Sequence, residues 1–435
     1  MGPMRLMVFA GAALISTTIA LSQTAETAQS CLGRLSSHVD ILLQKEQPPL
    51  FAWHLHSLKA LALSEYSKLA LPVHQTRRLA PPDRTKEFIE FIDTIDKGLV
   101  AYGSNPDSYL KDGTRTLILA RTSDIEGSLQ YMMVDLPKDW DPNHRYPLFI
   151  SLHGSGPDNP LAYPSYTFGA PTPPKPGASP NPTDGMVHLT PWGRGNRGWR
   201  NDAERDLFEA LTLLQTFAKV DPDRWYISGH SSGADGCWAI LQHTPDLWAA
   251  AGIQSGSMVS GRPEWGLIPN MAYVPVYFLI GEKDPLAGRV PDMKEAFKIM
   301  TKLHDETQLV ILPGVGHYPL TEEGVNTQSA WMVSHIRKRP SHFIFTVDEA
   351  IHPGVWGIRI PFNGGNSRLI QQPWPSFECD IKEGEVRIKT KRIKELRVDL
   401  GSSGLQMTGS VKLWVNGKLA FEGPIPSEPV TVTKI

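Results

Sequence analysis

Apolar and polar residues follow two different periods along this chain, and the change of period divides it into three parts. Up to about residue 100, apolar residues recur at the spacing of a helix. From residue 114 to residue 338, short apolar runs of strand length alternate with helical stretches, which predicts a mostly parallel sheet flanked by helices. After residue 341 only strand-like segments remain. The pattern therefore predicts a helical region over 31–105, an α/β domain over 114–338 and a small β-domain over 341–435.

The same pattern predicts the individual elements. The N-terminal helical segments are 39–43, 50–63 and 88–95, followed by a turn-rich joint at 107–113. The predicted strands of the α/β domain are 116–120, 129–136, 146–152, 186–190, 225–228, 249–253, 274–280 and 308–312. The helices between them are 203–217, 234–243, 292–303 and 328–336. In the β-domain the predicted strands are 343–346, 357–361, 385–390, 395–400, 411–415 and 418–421, with a hairpin turn at Asn416-Gly417.

A Gly-x-Ser-x-Gly sequence carries the candidate chemistry of the α/β domain. Residues 224–233 lead an apolar strand into this turn, with Ser231 at its centre and a helical stretch behind it. A sharp strand-to-helix turn exposes the serine hydroxyl to a base, and only residues without a side chain let strand and helix approach so closely, hence Gly229 and Gly233. The five-residue pattern also arises by chance, so its position between strand and helix is what makes Ser231 the candidate nucleophile.

A candidate acid and a candidate base follow Ser231, in the chain order nucleophile, acid, histidine. Asp284 comes just after the apolar strand 274–280, and His317 lies on a glycine-rich loop after the strand 308–312. His317 is expected to take the proton of Ser231, while Asp284 fixes the tautomer of the imidazole and stabilises the imidazolium. Two other carboxylates remain rivals for the role of the acid: Glu282 and Asp305.

An oxyanion hole is expected beside these residues, because an acyl-transfer intermediate carries a negative charge on oxygen. One donor is predicted to be the backbone N–H of Ser232, the residue after the nucleophile. The second should come from the loop after the strand 146–152, where the Ser155 amide is favoured and Gly154 remains possible. His153, in the same loop, is expected to be structural.

Three stretches of the α/β domain resemble a known group of enzymes: residues 131–142, 146–156 and 221–233. They resemble secreted α/β-hydrolases, in particular polyhydroxybutyrate-depolymerase-like and feruloyl-esterase-like enzymes and single-domain relatives of prolyl oligopeptidase. The resemblance covers residues 129–337, about half of the chain. It implies an α/β-hydrolase fold, and it implies the roles of nucleophile, acid and base for Ser231, Asp284 and His317.

Three functions fit these observations. The first is a serine hydrolase that cleaves carboxylic esters, small or linked to a polymer, through an acyl-enzyme. The second is a serine peptidase of the prolyl-oligopeptidase type; those enzymes usually carry a large propeller, and only about 100 residues precede the hydrolase region here. The third is a carbohydrate- or surface-binding protein with an inert hydrolase domain. Three tryptophans of the β-domain could serve such binding, although core positions are expected for them: Trp356, Trp374 and Trp414.

Composition and charge narrow the class further. Apolar residues make up 41% and charged residues 20%, as in a globular protein, and a net charge of −2 favours neither nucleic acid nor an anionic membrane as a partner. Residues 1–22 are predicted to be a secretory signal peptide, with Arg5 before an apolar stretch and small residues at Ala20 and Ser22. The protein is therefore expected to be secreted or periplasmic; an uncleaved membrane anchor is the alternative.

Cofactor and metal chemistry are not expected from the spacing of residues. Neither a His-x-x-x-His nor a Cys-x-x-Cys cluster occurs, and there is no phosphate-binding glycine loop. The three cysteines include at least one free thiol, and Cys237 is expected to be buried on the helix after the nucleophile. Two segments each allow two interpretations. The proline-rich insert 157–184 is either an active-site wall or a flexible insert. Three arginines either bind an acidic substrate or pair with acidic residues at the start of the following helix. They are Arg194, Arg197 and Arg200, opposite Asp202, Glu204 and Asp206.

Overall fold

The computed structural model describes most of the chain from residue 28 onward. The predicted signal peptide and the greater part of the proline-rich insert lie outside the described residues. The described ranges are 28–69, 84–102, 105–111, 116–155, 181–195, 197–257, 263–286, 288–362, 370 and 372–433.

The helices lie in the first two parts of the chain, as the apolar period predicted. They are α1 (28–43), α2 (Pro49–Lys68), α3 (Arg84–Tyr102), α4 (Pro106–Lys111), α5 (Asp202–Leu214), α6 (Ser232–His243), α7 (Arg289–Met300) and α8 (Glu322–Val333). Two 3-10 helices follow α6, at Pro245–Leu247 and Pro263–Met271. The prediction of a turn-rich joint at 107–113 was wrong for most of its length, because α4 forms there and buries Tyr109 and Leu110.

An eight-stranded sheet forms the centre of the α/β domain. Its strands are β1 (Thr116–Thr122), β2 (Leu129–Asp135), β3 (Tyr146–Leu152), β4 (Val187–Pro191), β5 (Val220–His230), β6 (Ala250–Gln254), β7 (Val276–Gly281) and β8 (Thr307–Leu312). The order across the sheet is β1-β2-β4-β3-β5-β6-β7-β8, with antiparallel pairing only at β1-β2 and β2-β4. Every residue of β7 is buried, as expected of a parallel strand with helices on both faces. The α/β-hydrolase fold predicted from the sequence is confirmed.

Helix α2 covers one edge of this sheet, the edge formed by strand β1. An uncovered edge strand offers unpaired backbone groups to other chains. Here side chains of α2 bind those groups instead. The N–H of Ile118 donates to His54 Nδ1 at 2.9 Å, the N–H of Ala120 donates to Ser57 Oγ at 2.8 Å, and Trp53 Nε1 donates to the Ala120 carbonyl at 2.9 Å. The N-terminal helical region is thus part of the same folded unit as the sheet.

The β-domain consists of two further sheets around a core of its own. Its strands are β9 (His342–Thr346), β10 (Gly354–Val355), β11 (Ile358–Arg359), β12 (Ser376–Lys382), β13 (Glu385–Lys391), β14 (Glu395–Val398), β15 (Ser410–Val415), β16 (Lys418–Pro424) and β17 (Val430–Thr433). The five-stranded sheet has the order β16-β15-β13-β12-β9, and the four-stranded sheet has the order β10-β11-β14-β17. Strand β12 was missed by the sequence reasoning, although Phe377, Cys379 and Ile381 alternate along it.

Specific hydrogen bonds join the β-domain to the α/β domain. The side-chain amide of Asn270 donates to the Thr346 carbonyl at 2.9 Å and accepts the Thr346 N–H at 2.8 Å. The backbone N–H of Trp356 donates to Asp246 at 2.9 Å. Trp356 is buried beneath the guanidinium of Arg337, so the expectation that it is a core residue is confirmed. Trp374 and Trp414 are half-buried.

All three cysteines of the chain lie in the interior of the fold. Cys31, Cys237 and Cys379 are all buried free thiols, and burial raises the pKa of Cys237 well above its ordinary value. Over the described ranges, we find no helix whose length and apolarity would let it cross a bilayer.

Candidate active site

Ser231 stands at a strained turn between strand β5 and helix α6. Its backbone has φ 57° and ψ −119°, a region that residues with a side chain rarely adopt. The turn is possible because one glycine lies two residues before Ser231 and another lies two residues after it. A Cβ added at Gly229 would collide with the backbone of Gly233, and one at Gly233 would collide with the Leu152 carbonyl, both well inside the 3.0 Å that real Cβ contacts respect. The turn therefore pushes the Ser231 hydroxyl out beyond the carboxyl end of the sheet.

His317 and Asp284 lie in line with this hydroxyl. The distance from Ser231 Oγ to His317 Nε2 is 3.0 Å, and the distance from His317 Nδ1 to Asp284 Oδ2 is 2.7 Å. The Asp284 side chain is fully buried, while that of His317 is 21% exposed. The other Asp284 oxygen accepts the N–H of Leu286 at 3.0 Å, which fixes the carboxylate within its own loop. Three side chains that are distant in the chain thus form one hydrogen-bonded series.

The two rival carboxylates occupy other positions. Glu282 accepts the N–H of Gly314 at 2.8 Å and so supports the loop that carries His317. Asp305 is exposed in the turn before β8. The carboxylate in contact with the His317 ring is that of Asp284.

The loop after β3 lies directly against the nucleophile. A Cβ added at Gly154 would be 3.1 Å from the His230 carbonyl and 3.3 Å from Ser231 Cβ, so only a small residue lets this loop approach. Ser155, the next residue, is exposed. Ser232 is the first residue of α6, and the N–H groups of a first helical turn have no partner within the helix. The backbone of Ser232 and the loop at Ser155 therefore flank Ser231.

Trp199 holds this loop, and the sequence reasoning missed it. Its indole Nε1 donates to the His153 carbonyl at 2.9 Å, and its backbone has φ 58°. Added Cβ atoms at Gly193 and Gly236 would both strike the Trp199 side chain. Two glycines make room for the buried indole: Gly193 in the glycine-rich stretch 192–200, and Gly236 of α6. The sequence analysis considered the arginines of that stretch, and Gly193 was the available local signal for the indole.

His153 and His230 are two half-buried histidines next to the site. His153 lies within hydrogen-bond distance of the Gly154 and Trp192 carbonyls, at 2.9 Å and 2.8 Å, and burial lowers its pKa. His230 Nε2 donates to the carbonyl of His317 at 2.8 Å, and burial likewise lowers the pKa of His230. The imidazole before the nucleophile thus holds the backbone of the residue whose ring meets Ser231.

Arg194 takes side-chain partners that the sequence did not predict, and at the following helix start it contacts the backbone of Asp202. The Arg194 side chain is 2% exposed, pairs with Glu126, and donates to Ser123 Oγ at 2.5 Å and to the Asp202 carbonyl at 3.2 Å. Asp206 pairs instead with Arg121 of β1.

Comparisons with known proteins give only distant matches. No protein-family model matches this chain, and no curated protein does. Among solved structures, a thermostable esterase is 19% identical over 52% of this chain and 60% of its own length, with a TM-score of 0.38. A ferulic acid esterase from Anaeromyces mucronatus (15% identical, 50% and 89% covered, TM-score 0.40) and an S-formylglutathione hydrolase from Staphylococcus aureus (15%, 50% and 96%, 0.40) also match. Likenesses at this distance assign no activity.

Proposed function

We propose that this protein is a serine hydrolase that cleaves carboxylic esters through an acyl-enzyme. The observation that supports this most is the series Ser231, His317 and Asp284, with contacts of 3.0 Å and 2.7 Å at the carboxyl ends of three strands. A nucleophile and a base within hydrogen-bond reach, with the base oriented by a third group, is the arrangement that such catalysis requires.

In the proposed first half-reaction, Ser231 Oγ attacks the ester carbonyl carbon while His317 Nε2 takes the hydroxyl proton. Asp284, hydrogen-bonded to Nδ1, keeps the proton of the neutral ring on Nδ1 and stabilises the imidazolium. The tetrahedral intermediate collapses when His317 returns the proton to the leaving alcohol oxygen. The acyl group then remains on Ser231. In the second half-reaction, His317 Nε2 takes a proton from water while the water oxygen attacks the acyl carbon, which forms a second tetrahedral intermediate. The bond between the acyl carbon and Ser231 Oγ then breaks, His317 returns the proton to Oγ, and the carboxylic acid leaves.

The negative oxygen of both intermediates is proposed to lie between the N–H groups of Ser232 and Ser155. The close packing of Gly154 on Ser231 supports this position, since it brings the β3 loop to the reacting oxygen. Losing one such donor costs about 2.7–4 kcal/mol of transition-state stabilisation in other serine hydrolases. We also propose that the protein is exported, on the basis of the signal-like residues 1–22.

The test is hydrolysis of p-nitrophenyl acyl esters by the purified protein and by single variants. Ser231→Ala is expected to abolish turnover without unfolding the protein. Asp284→Asn is expected to lower kcat on the order of 10⁴-fold, since the ring loses its orienting carboxylate. Asp305→Asn, at an exposed rival acid, is the matched control and should keep activity. Turnover retained in Ser231→Ala, or lost only in the Asp305 variant, would contradict the proposal.

Two further measurements separate the alternatives. Cleavage of aminoacyl-p-nitroanilides in preference to the esters would favour the prolyl-oligopeptidase-type peptidase, which shares the same mechanism. Failure of a fluorophosphonate probe to label Ser231 in folded protein would favour an inert hydrolase domain with a binding role.

A further inference from the structure

A cluster of imidazole and carboxylate side chains lies between the α/β domain and the β-domain, away from Ser231. Glu204 belongs to the first turn of α5, and His243 is the last residue of α6. Asp348, Glu349 and His352 come from the segment between β9 and β10 of the β-domain. These residues are far apart in the chain, so no spacing motif in the sequence could have indicated the cluster.

The nitrogen and oxygen atoms of this cluster converge closely. Glu204 Oε1 is 2.9 Å from His243 Nδ1 and 3.2 Å from His352 Nε2. His243 Nε2 is 3.5 Å from Asp348 Oδ1. One donor atom from each of Glu204, His243 and His352 can be chosen so that all three lie within 4.8 Å of one another. Ligands about 2.0–2.2 Å from a tetrahedral zinc ion are about 3.3 Å apart, so these spacings are close to those that the ion would need.

Two buried groups in the cluster have hydrogen-bonding capacity that the protein does not use. Glu349 is 7% exposed, and its Oε2 has no hydrogen-bond partner within the described part of the chain. A carboxylate oxygen of Glu349 lies within 4.8 Å of donor atoms of His243 and Asp348. His352 is 9% exposed, and among the described residues its Nε2 has no hydrogen-bond partner, although Glu204 Oε1 lies 3.2 Å away as an ion-pair contact. A buried polar group without a partner destabilises the folded state, and a bound cation would offset that cost.

Charge and access favour a cation as well. Three carboxylates meet two imidazoles in a largely buried place, an excess of acidic groups that a divalent ion would compensate. A cleft of about 710 Å³ between the two domains is lined by His243 and His352 and opens to solvent, which gives an ion a route to the cluster. Imidazole together with carboxylate ligands suits zinc.

We propose that Glu204, His243 and His352 bind one Zn²⁺ ion, with a solvent molecule from the cleft as its fourth ligand. The ion would join the ends of α5 and α6 to the β-domain, and so tie the two domains together. This role is independent of the proposed hydrolase chemistry, because none of these residues contacts Ser231, Asp284 or His317 in the hydrogen bonds and ion pairs of the structure.

The experiment is a Zn²⁺ titration of the full chain after removal of metal with a chelator, using a chromogenic zinc indicator as competitor. The wild-type protein should bind one ion tightly and should unfold at a higher temperature with Zn²⁺ than without it. His352→Phe keeps a ring stacked on His243, whose ring centroid is 4.7 Å away, but removes the ligand nitrogen. We expect this variant to bind Zn²⁺ at least about 100-fold more weakly and to lose the thermal shift.

His342→Phe is the matched control, since His342 belongs to an exposed group with Glu378 and Asp380 that could also attract an ion. It should leave the tight site unchanged. The proposal is overturned if His352→Phe binds Zn²⁺ as tightly as the wild type, if His342→Phe abolishes binding instead, or if the wild type shows no tight site. Should His352→Phe not fold, X-ray absorption of the zinc-loaded wild type decides: scattering from two imidazoles at about 2.0–2.1 Å is required, and its absence contradicts the proposal.

Discussion

The strain at Ser231 gives a prediction about stability that does not depend on any substrate. Ser231→Ala and Ser231→Gly both remove the hydroxyl and the contact with His317 Nε2. Only glycine relieves the backbone, because φ 57° with ψ −119° places a Cβ in a poorly populated region. The two variants should therefore both be inactive and yet differ in the free energy of unfolding.

The size of the difference follows from two opposing effects. A residue with a side chain in such a conformation costs about 1–3 kcal/mol. Glycine loses more conformational entropy on folding, which costs about 0.5–1 kcal/mol relative to alanine. We expect Ser231→Gly to be more stable than Ser231→Ala by about 1 kcal/mol, which is a rise of about 2–4 °C in Tm for a domain of roughly this size. Differential scanning calorimetry measures it directly.

Ser334 provides the matched control. It follows α8, has φ −75° and ψ −12°, and its hydroxyl donates to a backbone carbonyl at 2.7 Å. Alanine and glycine both remove that hydrogen bond without any strain to relieve, so here glycine should be the less stable variant by about 0.5–1 kcal/mol. If Ser231→Gly were no more stable than Ser231→Ala, while the Ser334 pair behaved as expected, the argument that the turn stores strain would be refuted.

Two further predictions concern the loop of the base and the edge of the sheet. Gly281→Ala should strongly lower kcat and Tm, because the added Cβ would collide with the Gly316 carbonyl and displace the loop of His317. Gly316→Ala is the control and should be tolerated, since there is open space around its Cβ. Equal effects of the two variants on ester hydrolysis and on thermal unfolding would contradict this reasoning. Burial lowers the pKa of His54 to about 4, so its neutral form stabilises the fold above pH 6.5 and this contribution is lost as the pH falls toward 4. Between pH 7 and pH 5 the wild type should lose about 2 kcal/mol more of its unfolding free energy than His54→Gln, as measured by urea denaturation. His56→Gln, at an exposed histidine, is the control for the substitution. The prediction is refuted if the unfolding free energies of the wild type and His54→Gln change in parallel with pH.

The order of elements in the α/β domain was predictable from local pattern. Strand β3 was predicted with its observed ends, and the other seven strands of the sheet were predicted at overlapping positions, because each of them contains a short apolar run of strand length. Ser231 was recognisable because a sharp turn between strand and helix needs glycines at fixed positions, and local backbone sterics determine that requirement. Strand β12 shows the limit of prediction from local pattern. Its apolar and polar residues alternate as in a strand, but they follow a proline-rich stretch, and the strand was not predicted.

What the sequence determined by itself, therefore, is what neighbouring residues decide: the periods of helix and strand, the glycine turn around Ser231, and the candidates Asp284 and His317 after strand ends. Only the tertiary structure decided which carboxylate meets the His317 ring, since Glu282 and Asp284 are two residues apart and their choice depends on the packing of the two loops. Only the tertiary structure determined two other features as well: the contact of the Trp199 indole with the loop after β3, and the cluster of Glu204, His243 and His352. Their contacts join residues 39 or more positions apart, and folding, rather than any local pattern, brings such residues together.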